Sequence, residues 1–524
     1  MITGMPLSLK GLFFFASVLL ISRLSAQEQL PRISADNQIY YAHDTHTTDS
    51  TFRDLFEDWS LVSFGYGDFE ANVQYEAHLP QPSWSSDTTG QGIYERWISF
   101  KRQNLSITVG NFYALLGKGL TLHSLNSRDM RYNTNIDGAT VKYTDNLFDV
   151  TALGGRPRDL AGVRLNPLLG GEVRLTPMQW GFLGATFVQT HMPATGLESR
   201  WGSTYLQLQR PLGTLYTEFA SRDCGQTNDN SNGNFLRSKG TASYTTANVF
   251  IGKVSALLEA TYYNSFDISE GEKNKSEYDA GPGGISQEAA LRMYNTPPPG
   301  IFEHSQALMN RAIPTLFANN HVAWHAGATY ALSDQNNMPL NYSRSRTVKP
   351  HESGGIKALS RCADIISDSA DYQDLFAKGE FVFPEKTDWT AGCGYQQTLE
   401  ARYFNFVGSN DWGIAENYSM QGSFEHQWAE ISLTQRKFYS QIYSLCLARA
   451  AAPRLSLSLI VERTTDQYSD KQYWIGTQID WTFYETNSLS IFAGNRKKGK
   501  LCAGGVCVNK PEFSGVEMAF TAKL

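Results

Sequence analysis

Apolar residues recur at every second position through long stretches of this chain, and that period of two confines it to β-sheet with chemically unlike faces. From Tyr473 to Phe483 one face reads Tyr473, Ile475, Thr477, Ile479, Trp481 and Phe483, while the other carries Gly476, Gln478, Asp480 and Thr482. Leu455, Leu457, Leu459 and Val461 repeat the pattern against Ser456, Ser458 and Glu462, and the C-terminal segment sets Val516, Met518, Phe520, Ala522 and Leu524 against Glu517, Thr521 and Lys523. In the N-terminal half, Leu105, Ile107 and Val109 oppose Ser106 and Thr108, and Ala139, Val141 and Tyr143 oppose Thr140 and Lys142. Such alternation also suits the half-buried sheet of an extracellular sandwich or solenoid. The number of strands, the lack of helices to cover them and the polar second face favour lipid as the partner of the apolar face. No fixed-period repeat supports a solenoid.

Connections alternate between short and long. Gly67 and Asp68, Asn146 and Leu147, Pro211 to Gly213, Pro384 to Asp388, Ala452 and Pro453, and Glu485 to Asn487 read as short periplasmic turns. Tyr113 to Thr134, Cys224 to Asn234, Asp267 to Phe317, and Thr347 to Asp371 read as long outer loops. Hairpins counted with that parity give an all-β, transmembrane antiparallel β-barrel of about 24 strands, within a range of roughly 18 to 26 set by boundary errors. Both chain ends then face the periplasm. The loop inserts lie near residues 113–134, 267–317 and 347–371, and the few residues before a first strand near Arg32 to Tyr41 leave no N-terminal plug domain, so any blockage comes from loops.

The N-terminus supplies the compartment. Lys10 precedes the apolar run Gly11 to Ile21, and Ser25 and Ala26 supply small residues at a cleavage point, so residues 1–26 read as a signal peptide and 27–524 as a single barrel domain. The run is too short for a membrane anchor and is followed by Arg23. The 26 Tyr, 29 Phe and 11 Trp suit aromatic girdles, and a mean hydropathy of -0.35 suits a polar lumen. A net charge of -6 carries no nucleic-acid footprint. The implied partners are outer-membrane lipid and the barrel-assembly machinery; no cofactor is expected.

Three stretches, Gly67 to Ala77, Gly110 to Tyr143 and Leu501 to Val516, resemble an uncharacterised family of predicted Gram-negative outer-membrane barrels defined by a domain of unknown function. A fourth, Tyr294 to Arg311, is similar to a loop in such proteins. The resemblance implies architecture and location and brings no catalytic residues with it.

Within the first long loop, Gly117, Lys118 and Gly119 follow a strand, and the glycines permit positive backbone angles and close approach to another strand. The spacing is not that of a phosphate loop. Lys118, Arg128, Asp129, Arg131 and Asp137 are candidates for a pore constriction if the loop folds inward; the alternative is a solvated surface loop. In the longest loop, Gln287 to Tyr294 and Glu303 to Arg311 read as short helices separated by Pro297 to Pro299. His304 beside Glu303 has no second metal ligand at diagnostic spacing, so a hydrogen-bonded histidine and a helix-start acid are the expectation. In the last outer loop Arg496, Lys497, Lys498, Lys500 and Lys510 form a basic patch or a soluble loop tip. Cys502 and Cys507, with four residues between them, are favoured as a disulfide over free thiols in an oxidising envelope. Cys224, Cys362, Cys393 and Cys446 cannot be paired from sequence.

No nucleophile elbow, paired-carboxylate motif or HExxH string occurs. The leading expectation is a non-enzymatic pore or transport barrel for a polar solute. A structural, assembly or surface-interaction barrel is the alternative, and an outer-membrane hydrolase the third.

Overall fold

The computed structural model describes residues 31–46, 53–80, 90–128, 132–158, 164–192, 197–226, 237–264, 295, 297–313, 320–347, 370–383, 387–484, 486–503 and 506–524. The expected signal peptide, the helix at Gln287 to Tyr294, and Asp129 and Arg131 lie outside these residues.

The alternation near the C-terminus folds into the strand Tyr473–Phe483 with the bounds and faces the sequence predicts. Ile475, Ile479 and Trp481 stand on the outside, 53%, 43% and 41% exposed, while Gln478 and Asp480 face inward and hydrogen-bond each other. One inward position departs from the polar rule. Trp474 is fully buried against the interior, its indole N–H donating to Glu512 at 3.1 Å.

Twenty-four strands form one antiparallel sheet in which each pairs with its neighbours along the chain. The first, Arg32–Asp44, pairs with the last, Phe513–Lys523, with Tyr41 opposite Met518. This seam closes the sheet into a transmembrane barrel and leaves no edge, so the ladder satisfies the backbone polar groups within the wall. The outward face at the seam is not uniformly apolar. Asn37 donates to Asp58 and to Ser60, both at 2.7 Å, so these polar groups satisfy one another there.

Connections on the side where the first strand begins are short, as at 67–68, 103–104, 145–147, 211–212 and 252–253. The opposite side carries 113–135, 265–320, 348–371 and 497–512. Exposed aromatics flank the short turns: Tyr66 and Phe69, Tyr143 and Phe148, Trp412 and Tyr418. That is the girdle expected where the wall leaves hydrocarbon for headgroups.

Candidate functional site: a lumen half-filled by its own loops

Two segments of the long connections turn inward and pack against the wall. The first spans residues 113–128 and 132–135. Leu116, Leu120 and Leu122 are fully buried in a cluster with Trp201, Tyr205, Tyr216, Tyr244 and Tyr263 of the wall. These inward aromatics give the loop leucines an apolar bed, and removing both from water drives the segment in. Polar contacts fix its register. The Gly117 N–H donates to Glu172 at 3.1 Å, the Lys118 N–H donates to Glu218 at 2.9 Å, and the Thr121 and Thr186 hydroxyls lie 2.7 Å apart. Gly117 has a φ of 59°, and a Cβ there would lie 2.7 Å from a Glu218 carboxylate oxygen, so both its backbone angle and its close approach require glycine.

The second segment, residues 297–313 with Asn295, crosses to strands farther along the chain. The Tyr263 hydroxyl donates to the Pro298 carbonyl at 2.8 Å, and the Phe302 N–H to Ser343 at 2.9 Å. His304 Nε2 meets Asp374 at 2.8 Å, both side chains fully buried. The helix in this segment is shorter than Glu303 to Arg311: it runs Ala307–Arg311. The carboxylate at its start is not Glu303. Glu425, from the wall strand Tyr418–Ile431, accepts from the Ala307 and Leu308 N–H groups at 3.1 and 2.9 Å. Gln396 and Gln427 donate to the Met309 and Leu308 carbonyls at 3.1 and 3.0 Å, satisfying the helix's far end. Arg311 closes the crossing with a two-pronged pair to Glu462 at 2.6 and 3.0 Å.

The two segments touch. Asn295 accepts from the His123 N–H at 2.5 Å and donates to the Leu120 carbonyl at 3.3 Å. Together they occupy the loop-side half of the lumen, and burial along the wall records it. In the strand Leu197–Arg210 the inward Trp201, Ser203 and Tyr205 are buried, Gln207 is half-buried and Gln209 is exposed. In Tyr418–Ile431 the inward series runs from buried Ala429 and Gln427 through half-buried Glu425 and Ser423 to exposed Gln421. On these two strands the turn-side inward positions are polar and open, whereas the inward Asn72, Ser99 and Asp149 near other short turns are buried.

The candidate constriction charges divide. Lys118 Nζ lies 5.6 Å from the centre of the inward Tyr216 ring, and Arg128 lies 5.7 Å from that of Trp59, so both sit on the lumen side. Asp137 belongs to the strand Ile136–Thr144, shares its parity with the exposed Val141 and Tyr143, and pairs across the ladder with Arg156. It therefore sits on the outer face of the wall. Sequence reasoning did not single out the wall anchors Asp374, Gln396, Glu425, Gln427 and Glu462. Each sits on an inward parity position, and a large polar side chain at such positions is the only signal that marks them.

The last outer loop also leans on the inserts. Arg496 pairs with Glu517 at 2.8 Å, and Lys497 reaches Glu462 at 4.0 Å while lying 5.1 Å from the Trp474 ring centre. These members of the basic patch are engaged by the barrel and do not form a free tip. Residues Gly499–Ala503 and Val506–Lys510 form a two-stranded ribbon in which Cys502 stands directly opposite Cys507. Directly opposed antiparallel residues have Cα atoms about 4.5–5.5 Å apart, within the span a disulfide bridges. Mass spectrometry of non-reduced peptides is expected to find these cysteines joined, and free thiols in protein taken directly from the membrane would reject the bond. Replacing both with Ser should leave the barrel assembled, because closing so small a loop recovers little chain entropy.

The model of a family of unknown function (DUF6029) matches residues 8–280, more than half of the 524-residue chain. No curated protein matches the sequence. Among solved structures, the chain is similar to the translocation pore of the P pilus usher PapC, with 8% identity, a TM-score of 0.48, and 94% of this chain and 99% of that one covered. It is similar also to a BenF-like porin from Pseudomonas fluorescens Pf-5, with 8% identity, a TM-score of 0.36, and 70% and 93% covered. OccD3 from Pseudomonas aeruginosa gives 9% identity, a TM-score of 0.36, and 70% and 86% covered.

Proposed function

This chain belongs to the family of unknown function DUF6029, and we propose that it is a non-enzymatic outer-membrane pore for a polar solute, its passage set by the two inward-folded loop segments. The observation that carries this reading is the division of the lumen. Along Leu197–Arg210 and Tyr418–Ile431 the turn-side lumen is a polar, open vestibule, and above it the obstruction is built from the chain's own loops, held by a leucine–aromatic cluster and by polar contacts to the wall. A barrel serving only as scaffold has no need of a wet half-lumen. The reading gives Lys118 and Arg128 the lumen positions from which a constriction selects by charge.

Passage is tested with proteoliposomes holding the full chain. They should swell in isosmotic solutions of small sugars or amino acids faster than protein-free vesicles. An assembled barrel that admits none of them, with or without the second insert, would favour the assembly or surface-interaction role.

Water in the vestibule has its own readout. Cys446 lies on an inward position opposite Gln421, on the turn side of the inserts, while Cys393 is exposed on the outward face. A charged maleimide should therefore modify Cys446 in reconstituted protein and leave Cys393 protected by lipid, as located by peptide mass spectrometry. The reverse order of reactivity would mean that the vestibule is closed to water.

A further inference from the structure

On the outward face, where the wall meets the loop side, cations lie in a row across neighbouring strands. Arg402 is the second residue of Ala401–Ala415, Lys437 the second of Arg436–Arg449, and Arg463 the last but one of Arg454–Thr464. All share parity with lipid-facing side chains: Arg402 with Phe404 and Phe406, Lys437 with Tyr443 and Leu445, Arg463 with Leu457 and Leu459. Aromatic rings lie beside and below them. The Arg463 guanidinium is 5.9 Å from the Tyr439 ring centre and 5.5 Å from that of Tyr473, and Lys437 Nζ is 5.9 Å from that of Trp428. Trp428 in turn packs on Phe404 at 5.6 Å between centroids.

Several cations elsewhere in the barrel have a carboxylate as partner. Arg311, Arg174 and Arg496 each meet a carboxylate. On this row Lys437 keeps Glu430 at 3.5 Å, nearby Asp466 is taken by Arg436, and neither Arg402 nor Arg463 has a carboxylate partner among the described residues. Ring faces hold the Arg463 guanidinium and the Lys437 ammonium, while the exposed Arg402 stands opposite Glu430 in the ladder with no ion pair to it within 4 Å among the described residues. The connections above the row include two of the shortest on the loop side, 399–400 and 432–435, so they place little chain over this rim. A cation over an aromatic ring at the level where acyl chains give way to headgroups is placed for a phosphate, which accepts a two-pronged guanidinium bond.

We propose that this rim, centred on Arg402, Lys437 and Arg463, binds the phosphate-bearing headgroup of a lipid in the loop-side leaflet. The site rests on the reading of the chain as a membrane barrel. It needs no open pore.

The test is native mass spectrometry of the full chain in nonionic detergent doped with lipid A, phosphatidylglycerol or phosphatidylcholine. The wild type should retain lipid A best and the zwitterionic lipid least. The double variant Arg402→Gln, Arg463→Gln should lose about tenfold in lipid A adduct, the factor that 1.4 kcal/mol represents. Arg210→Gln is the control, since Arg210 lies over Trp180 at 4.3 Å but beside the short turn 211–212. It should retain the lipid. If the double variant does not assemble, Lys437→Gln, at a side chain 58% exposed, reads the same site with a smaller loss. Adducts unchanged in the variants, or phosphatidylcholine held as well as lipid A, would overturn the proposal. A chain that stays monodisperse without detergent would instead overturn the membrane reading on which the site rests.

Discussion

Deleting Ile268 to Ile313 is expected to raise single-channel conductance by about an order of magnitude, because a barrel of more than about 16 strands leaves an aqueous channel unless something fills it. The segment removed includes the whole crossing from Pro298, bonded to Tyr263, to Arg311, bonded to Glu462. The wall itself does not depend on it. Strands Val254–Asn264 and His321–Ala331 pair directly with each other, so a short linker can join them after the deletion. The same cut frees the inner end of the first insert, whose Leu120 and His123 backbones bond Asn295. A milder variant separates anchoring from bulk. Arg311→Gln leaves the Glu462 carboxylate without its two-pronged partner, which should loosen the crossing and give flickering openings in place of a steady open state. Planar-bilayer recordings of each, beside a gel showing heat-modifiable barrel, decide the matter. Conductance unchanged by the deletion would move the constriction to residues 113–135, where Leu116 and Leu122 are packed against the wall independently of the second insert.

The wall was legible in the sequence because its rule is local. A lipid face demands an apolar residue at every second position, and Tyr473 to Phe483 states that rule within eleven residues. Connection lengths were legible for a similar reason, since breakers mark them directly. The inserts obey no such rule. Asp374 waits for His304 seventy residues away, and Glu425 caps a helix more than a hundred residues from it. No spacing announces either pair, because the barrel wall brings them together only after closure. Trp474 shows the converse. Its neighbours assign it to the polar face, and it is buried there because the last outer loop folds over it and offers Glu512 as an acceptor. The glycines at 117 and 119 stand between these cases. Their need for positive φ was readable locally, but the reason, the approach of Gly117 to Glu218, was not.

Ile479→Arg should cost about 2–4 kcal/mol of barrel stability, the range for a basic residue on the lipid face near the bilayer midplane, while Gln478→Arg should cost little. The two positions are adjacent and differ in what they face. Ile479 stands outward between Leu457 and Ile491 on the flanking strands, 43% exposed with nothing polar opposite it. An arginine there must either lose its hydration or bend toward an interface, and the position is the seventh of an eleven-residue strand, so neither rim is close. Gln478 points inward and donates to both carboxylate oxygens of Asp480, at 2.9 and 3.0 Å. An arginine in its place keeps the acceptor and adds an opposite charge to it in a wet lumen. The readout is the urea midpoint of the heat-modifiable band in lipid vesicles, which falls in proportion to the lost stability if the slope is unchanged. Equal midpoints for the two variants would mean that the faces of Tyr473–Phe483 are assigned the wrong way round, and with them the inward position of Trp474 and the outward row that includes Arg463.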